Sequence, residues 1–191
     1  RVLERFGKAS DAAKRRGGLL IATQVVEQSL DLDFDVMISD LAPVDLLIQR
    51  AGRLCRHRRD RVGNPLPVGR PDERGTPVLF VHGPVAGDEP GEDWFQTPFP
   101  GAAAVYPDHG RLWLTARELS NRGCLRMPDD ARVLIEAVYS EEAEAGIPAG
   151  LLGRTLDALG EDLASASVGN VNAIDSEAGY TMEGAAWASD T

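Results

Sequence analysis

Three arginines near the middle of the chain have the type and spacing of an anion-binding group. Arg50, Arg53 and Arg56 recur every three residues, so a helix would present their guanidinium groups to nearly the same side. A guanidinium stays charged at every physiological pH and pairs well with phosphate oxygens, and Gly52 leaves room for a ligand. The spacing leaves three interpretations open: a nucleoside triphosphate site, where phosphoryl transfer needs fixed positive charge, a solvated basic face, or a patch that binds a polyanion.

Polar residues upstream of the arginines have the chemistry to complete such a site. The sequence of residues 22–35 reads ATQVVEQSLDLDFD. Thr23 and Ser29 are potential donors to phosphate, and Asp31 is a potential acceptor from a ribose hydroxyl.

Two further aspartates in this stretch, Asp33 and Asp35, suggest a calcium loop by their alternation with Asp31. Val36 stands where such a loop requires glycine and Ala42 stands where it requires a bidentate acid, which excludes the loop. We therefore interpret Asp33 and Asp35 as the solvated edge of a strand.

The elements that would position these residues follow an α/β pattern. Three apolar runs have strand length and suit burial in a parallel sheet: Leu19–Val26, Val36–Ala42 and Val78–His82. Between the last two, Asp45–Arg56 has apolar residues at helical spacing, with Asp45 as its predicted N-cap. This order predicts an α/β layer with ligands at the carboxyl ends of its strands.

The second half of the chain is predicted to be mostly helical. Residues 86–110 are rich in glycine, proline and acidic residues, and we interpret them as a linker or insertion lying over another surface. Beyond them, helical patterns cover Leu112–Leu119, Asp129–Tyr139 and Leu151–Ala166, with Asp129 as the predicted cap of the second helix.

Charge divides the chain in the same way. The net charge is −10, yet residues 1–76 hold 14 basic against 11 acidic side chains, whereas residues 77–191 hold 6 against 19. The first region therefore suits a phosphate-bearing ligand. For residues 111–191 we expect a lid, a partner-facing role or plain packing instead of direct contact with a polyanion.

Length and cysteine content exclude several classes of protein. A chain of 191 residues with only Cys55 and Cys124 is neither a disulfide-stapled miniprotein nor a four-cysteine zinc protein. With no apolar run of membrane-spanning length and no signal peptide, we expect a cytoplasmic protein without a membrane partner. Because the first residues read as the middle of a helix, we expect a piece of a longer protein.

Two long segments resemble helicase motifs. ATQVVEQSLDLDFD resembles motif V, and QRAGRLCRH resembles motif VI, of superfamily 2 helicases. Together with the intervening SDLAPVDLLIQRAGRL, they resemble the CRISPR-associated helicase–nuclease family of type I systems, closely over about residues 1–60. The resemblance implies an ATP-dependent helicase with a nuclease domain, which unwinds and degrades DNA marked by a crRNA-guided surveillance complex.

The resemblance also implies a domain organisation. Residues 1–85 would form part of the second of two RecA-like domains, with a parallel sheet and flanking helices. Residues 86–110 would be a linker or insertion, and residues 111–191 a helical extension leading to a truncated C-terminal accessory domain. In this family, the cleft between the RecA-like domains binds ATP and their upper surface carries single-stranded DNA.

Site residues follow from the same resemblance, position by position. It implies DNA binding by Thr23, Gln24 and Ser29. It implies nucleotide binding by Gln28, Asp31, Gln49, Arg50, Arg53 and Arg56. Among these, Arg53 and Arg56 would be the catalytic arginine fingers on the γ-phosphate, and Arg50 a structural or coupling residue.

Cofactors and partners are implied as well. The cofactors are ATP and Mg²⁺, with Mg²⁺ held by an upstream domain, and the divalent metals of a nuclease domain also lie outside this chain. The partners are single-stranded DNA, the surveillance complex, and the first RecA-like and nuclease domains. Since the family's phosphate-binding loop lies upstream, we expect the chain alone to be inactive. Two alternatives stay open: another superfamily 2 DNA or RNA helicase, and a non-catalytic nucleic-acid- or partner-binding module with a motor-like fold.

Overall fold

The computed structural model describes residues 1–24 and 30–172. Its elements, in chain order, are α1 (Val2–Phe6), α2 (Ala12–Arg15), β1 (Val36–Asp40), α3 (Val44–Ala51), β2 (Val78–His82), α4 (Pro100–Val105), α5 (His109–Arg122), α6 (Ala131–Tyr139), α7 (Glu141–Glu144) and α8 (Ala149–Asn172). Within these ranges, no helix is both long enough and apolar enough to cross a membrane.

A parallel pair of strands confirms the predicted α/β class. β1 and β2 pair in register from Val36 opposite Val78 to Asp40 opposite His82. β2 has the predicted bounds, whereas β1 ends at Asp40 and not at Ala42. The pairing continues for one more hydrogen bond, because the amide of Leu41 donates to the carbonyl of His82 at 2.8 Å.

The predicted strand Leu19–Val26 is wrong over the part that the structure describes. Residues 19–24 pair with no strand, and Leu19 and Ile21 are 81% and 89% exposed. An extended segment becomes a strand only where a neighbour completes its backbone hydrogen bonds. Within the described sheet, β1 and β2 pair with each other. Residues 25–29 lie outside the described residues.

Helix α3 confirms the helical prediction for this region but not its ends. It begins at Val44 after Pro43 and stops at Ala51, short of the predicted end at Arg56. Asp45 is not the N-cap; its carboxylate instead accepts a hydrogen bond from the Tyr139 hydroxyl at 3.0 Å. The Asp45 side chain, which the local sequence predicted to cap the helix, therefore makes a long-range tertiary contact instead.

Three helices of the second half appear as predicted, with shifted ends. α5 is capped by Asp108, whose carboxylate accepts from the Arg111 amide. α6 begins after Asp130 and not after Asp129 as predicted; the Asp130 carboxylate makes no capping hydrogen bond and instead accepts from the Arg126 amide at 2.7 Å. α8 runs over Ala149–Asn172, beyond the predicted Leu151–Ala166.

Two apolar clusters hold α3 between the strands and the later helices. Leu47 packs in the first cluster with the fully buried Phe95 and with Leu112. Val44 packs in the second cluster with Trp113. Each fully buried side chain of this size contributes about 2 kcal/mol of hydrophobic stabilisation. The position of α3, and of the arginines that follow it, therefore depends on residues far along the chain.

Candidate functional site

The three candidate arginines do not form a common helical ridge. Arg50 lies on α3, but the chain leaves the helical path after Ala51. It does so because the Phe34 amide donates to the Arg53 carbonyl and the Cys55 amide donates to the Phe34 carbonyl, each at 2.9 Å. The predicted ridge is therefore wrong, and each guanidinium has a different environment.

Arg50 connects α3 to its surroundings. Its Nη1 donates to the Ser39 hydroxyl at 2.6 Å, at the end of β1. Its Nη2 donates to the Tyr106 hydroxyl at 3.1 Å, in the segment before α5. The geometry suits the coupling role implied for Arg50, since the guanidinium joins three separate parts of the chain.

Arg53 is buried, with 9% of its surface exposed. Its Nη1 donates to the carbonyl of Leu30. This contact connects the turn after α3 to the segment that carries Asp31, so two regions that the sequence singled out separately lie together.

Arg56 meets Asp31 at the surface. Arg56 Nε lies 2.9 Å from Asp31 Oδ1, and the two side chains are 48% and 49% exposed. His57 Nε2 lies 3.0 Å from the same carboxylate oxygen. Exposed ion pairs of this kind contribute about 0–1 kcal/mol, because water screens them. Separating Arg56 from Asp31 therefore costs little free energy.

The remaining candidates are only partly described. Gln49, Thr23 and Gln24 are exposed, which leaves their amide and hydroxyl groups accessible to a ligand. Gln28 and Ser29 lie outside the described residues.

A buried ion pair next to these residues was missed by sequence reasoning. Asp33 and Arg59 are both fully buried, with Arg59 Nε 2.5 Å from Asp33 Oδ2. Arg59 also donates to the carbonyls of Ser10 at 2.6 Å and Gly7 at 3.0 Å. The interpretation of Asp33 as a solvated strand edge is wrong, because its partner lies 26 residues away in sequence and no local pattern reveals it.

Two further arginines surround this pair. Arg15 Nη2 and Arg74 Nη1 lie 2.9 Å and 2.8 Å from Asp35 Oδ1. Partial burial alone would raise the pKa of Asp35, but the hydrogen bonds and charges of Arg74 and Arg15 outweigh it and hold this pKa below its ordinary value. Arg74 Nη2 also donates to the His57 carbonyl at 2.6 Å. This hydrogen bond from Arg74 fixes the loop that carries Arg56 and His57.

Candidate metal ligands do not cluster among the described residues. Within residues 1–24 and 30–172, no group of three or more histidine, cysteine, aspartate or glutamate side chains is placed to hold a metal ion.

Known proteins share this arrangement of segments. The family model for the C-terminal part of the CRISPR-associated nuclease/helicase Cas3 matches residues 1–59, which include Asp31, Arg53 and Arg56. A CRISPR-associated endonuclease/helicase Cas3 from Thermus thermophilus is 42% identical over 158 residues, which cover 83% of this chain and 15% of that protein. This chain belongs to the Cas3 family. The predicted family is therefore confirmed.

Solved structures agree with this assignment. Cas3 from T. fusca with AMPPNP is 35% identical, with a TM-score of 0.64 over 91% of this chain and 18% of that chain. A chain in a CRISPR RNA-guided surveillance complex, in a pre-nicking state, is 32% identical, with a TM-score of 0.61 over 91% of this chain and 19% of that chain. The chain thus spans less than a fifth of the length of each of these three relatives.

Proposed function

We propose that this chain is part of the second motor domain of an ATP-dependent DNA helicase–nuclease that acts in type I CRISPR interference. The observation that carries the proposal is the exposed contact between Asp31 and Arg56 at 2.9 Å. It joins a carboxylate suited to ribose and a guanidinium suited to phosphate, in a family with a T. fusca member solved with AMPPNP. Once Arg56 leaves Asp31, the two groups would bind the phosphate and ribose ends of one nucleotide.

Arg56 is the arginine finger that the geometry favours most. Its pairing with Asp31 is exposed and weak, so the γ-phosphate, with more negative charge and more acceptor oxygens, takes over the guanidinium. Asp31 is then free to accept from the ribose. Positive charge held against the transferring oxygens lowers the barrier to phosphoryl transfer, and such a finger raises the rate by about 10³-fold or more.

Arg53 acts as the second finger only after a rearrangement. It is buried and donates to the Leu30 carbonyl, so reaching phosphate requires leaving that carbonyl. Closure of the cleft against the first motor domain supplies new contacts, which offset the loss of the hydrogen bond to the Leu30 carbonyl. Gln49, which is exposed, makes a polar contact at the cleft, and Arg50 couples α3 to β1.

The other parts of the chain have supporting roles in this proposal. Residues 1–85 belong to the motor domain, residues 86–110 are an insertion, and residues 111–191 lead into the accessory domain. Thr23, Gln24 and Ser29 contact single-stranded DNA, while Gln28 lies near the cleft. Mg²⁺ and the nuclease metals are held by domains outside the chain.

The surveillance complex is the proposed partner that delivers the DNA. Support comes from the similarity to a chain in a CRISPR RNA-guided surveillance complex. The proposed compartment is the cytoplasm, where such a complex meets DNA.

The test is substitution of Arg56 in the full-length protein that contains this sequence. Arg56→Ala is expected to lower DNA-stimulated ATP hydrolysis by about 10³-fold, because the fixed charge on the γ-phosphate is lost. Binding of a single-stranded oligonucleotide, measured by fluorescence anisotropy, should stay within about twofold, as a finger acts on the transferring phosphoryl group and not on DNA.

Arg58→Ala is the matched control, since Arg58 is also exposed in the same loop but has no assigned role in the cleft. It is expected to keep the hydrolysis rate. Equal loss of hydrolysis and DNA binding in Arg56→Ala would instead make Arg56 a DNA-binding or folding residue, and the proposed role would be wrong.

A further inference from the structure

An open cavity lined by arginines lies beside the buried Asp33–Arg59 pair. Its volume is about 740 Å³, and its lining includes Arg15, Arg16, Arg61 and Arg74, with Asp35 as the acidic residue among the lining side chains. We call this surface the arginine basin. In a chain with a net charge of −10, four guanidinium groups around one cavity are a local reversal of sign.

The floor of the arginine basin is held rigidly. Arg15 Nη1 donates to the Asp33 carbonyl at 2.9 Å, and Arg74 Nη2 lies 2.7 Å from Asp72 Oδ2. Both guanidinium groups also bind Asp35, whose charge they neutralise. Because these side chains are already ordered, a ligand that binds above them does not have to order them.

The rim of the arginine basin carries uncompensated charge. Arg16 and Arg61 are exposed, and neither makes an ion pair with any residue in 1–24 or 30–172. Next to them, Gly17 and Gly63 have φ angles of 61° and 103°, a conformation that glycine adopts without strain. Neither glycine adds a side chain over the cavity, which leaves an extended anion access to both rim arginines.

The chemistry of the arginine basin matches a chain of phosphodiesters better than a single small anion. Because the floor is neutralised, the two rim arginines are separate positive charges that can contact successive phosphates of a nucleic-acid backbone. Arginine binds a phosphate through two hydrogen bonds at once. Each such contact releases a condensed counterion, which makes nucleic-acid binding favourable and dependent on salt. The basin contains no aromatic side chain, so base stacking contributes nothing here and binding would not depend on base sequence.

We propose that the arginine basin binds backbone phosphates of the nucleic acid on which the protein acts, through Arg16 and Arg61. The site is additional to Thr23, Gln24 and Ser29. It rests on the proposed function only in the choice of nucleic acid as the polyanion, and it does not depend on the nucleotide cleft.

The test compares the salt dependence of oligonucleotide binding in two double variants of the full-length protein. Arg16→Gln/Arg61→Gln removes the rim charges, and Lys8→Gln/Arg126→Gln removes two other exposed charges elsewhere. With single-stranded DNA, each lost phosphate contact reduces the slope of log K against log salt by about 0.7. The rim variant is therefore expected to lose about 1.4 from the slope, so its decline in affinity between 50 and 200 mM salt is roughly sevenfold smaller.

The outcomes are separable. A rim variant with the same slope as the control variant overturns the proposal. Loss of binding to a fluorescent ATP analogue with an unchanged DNA slope also overturns it, because the basin would then bind free nucleotide. A changed slope in a protein without DNA-stimulated ATP hydrolysis supports the basin while refuting the proposed motor function. Both rim residues are exposed, so the melting temperature should not change.

Discussion

At the scale of single residues, the buried pair Asp33–Arg59 organises the surroundings of the candidate site. Arg59 closes Gly7 and Ser10 onto Asp33, while its own amide donates to Asp72 Oδ2 at 3.1 Å. A guanidinium with no access to water must find all its partners within the protein. Satisfying Arg59 therefore fixes the loop that carries Arg56.

Removing the charge of Asp33 should be costly. Asp33→Asn keeps the shape but leaves Arg59 buried without its counter-charge, and breaking a buried pair on one side costs about 3–5 kcal/mol. We expect a loss of that size in the free energy of unfolding, measured by urea denaturation. Asp31→Asn is the matched control: its pair is half exposed, so the loss should stay below about 1 kcal/mol. Equal losses in both variants would show that the Asp33 pair is not specially stabilising.

At the scale of elements, α3 joins the two halves of the chain. Its apolar residues Val44 and Leu47 pack in different clusters, and its polar residues Asp45 and Arg50 bind Tyr139 and Tyr106. The ends of α3 are thus held by side chains from the second half of the chain. The position of the turn that follows α3 depends on the same contacts.

A close crossing of α5 and α8 offers a test at this scale. A Cβ at Gly110 would lie 2.3 Å from Thr155 Oγ1 and 2.8 Å from Ile147 Cγ2. Gly110→Ala should therefore force the helices apart and lower the free energy of unfolding by about 1–3 kcal/mol. Gly153→Ala, on α8 with no atom within 4 Å of its Cβ, should instead stabilise by about 0.5–1 kcal/mol through helix propensity. Urea denaturation measures both; a Gly110→Ala variant as stable as the unaltered protein would contradict the close crossing.

At the scale of the whole molecule, the proposed active site is two-sided. The described residues contribute Asp31, Gln49 and the arginines, while the group that would hold Mg²⁺ is proposed to lie elsewhere. Each half of such a site gains most of its contacts only when the cleft closes.

The isolated 191-residue chain should therefore hydrolyse no ATP above background, with or without single-stranded DNA. Phosphate release from the purified chain measures this, and the full-length protein is the positive control. DNA-stimulated hydrolysis by the chain alone would refute the two-sided site.

The sequence by itself determined the family, the α/β class, β2 and the helical character of the second half. Each motif is a short pattern of residues that is local in sequence, so Asp31, Arg53 and Arg56 could be singled out before the structure. Apolar periodicity likewise predicts helices, because it reflects which face each helix buries.

Only the tertiary structure decided the environments of those residues. The strand predicted at Leu19–Val26 lacks a pairing partner over its described part, and the helix expected to reach Arg56 stops at Ala51 because Phe34 pairs with the turn. Asp33 looked solvated, yet it is buried by an arginine 26 residues away. Burial and ion pairing depend on which distant residues meet in space, and a single sequence carries no direct record of that.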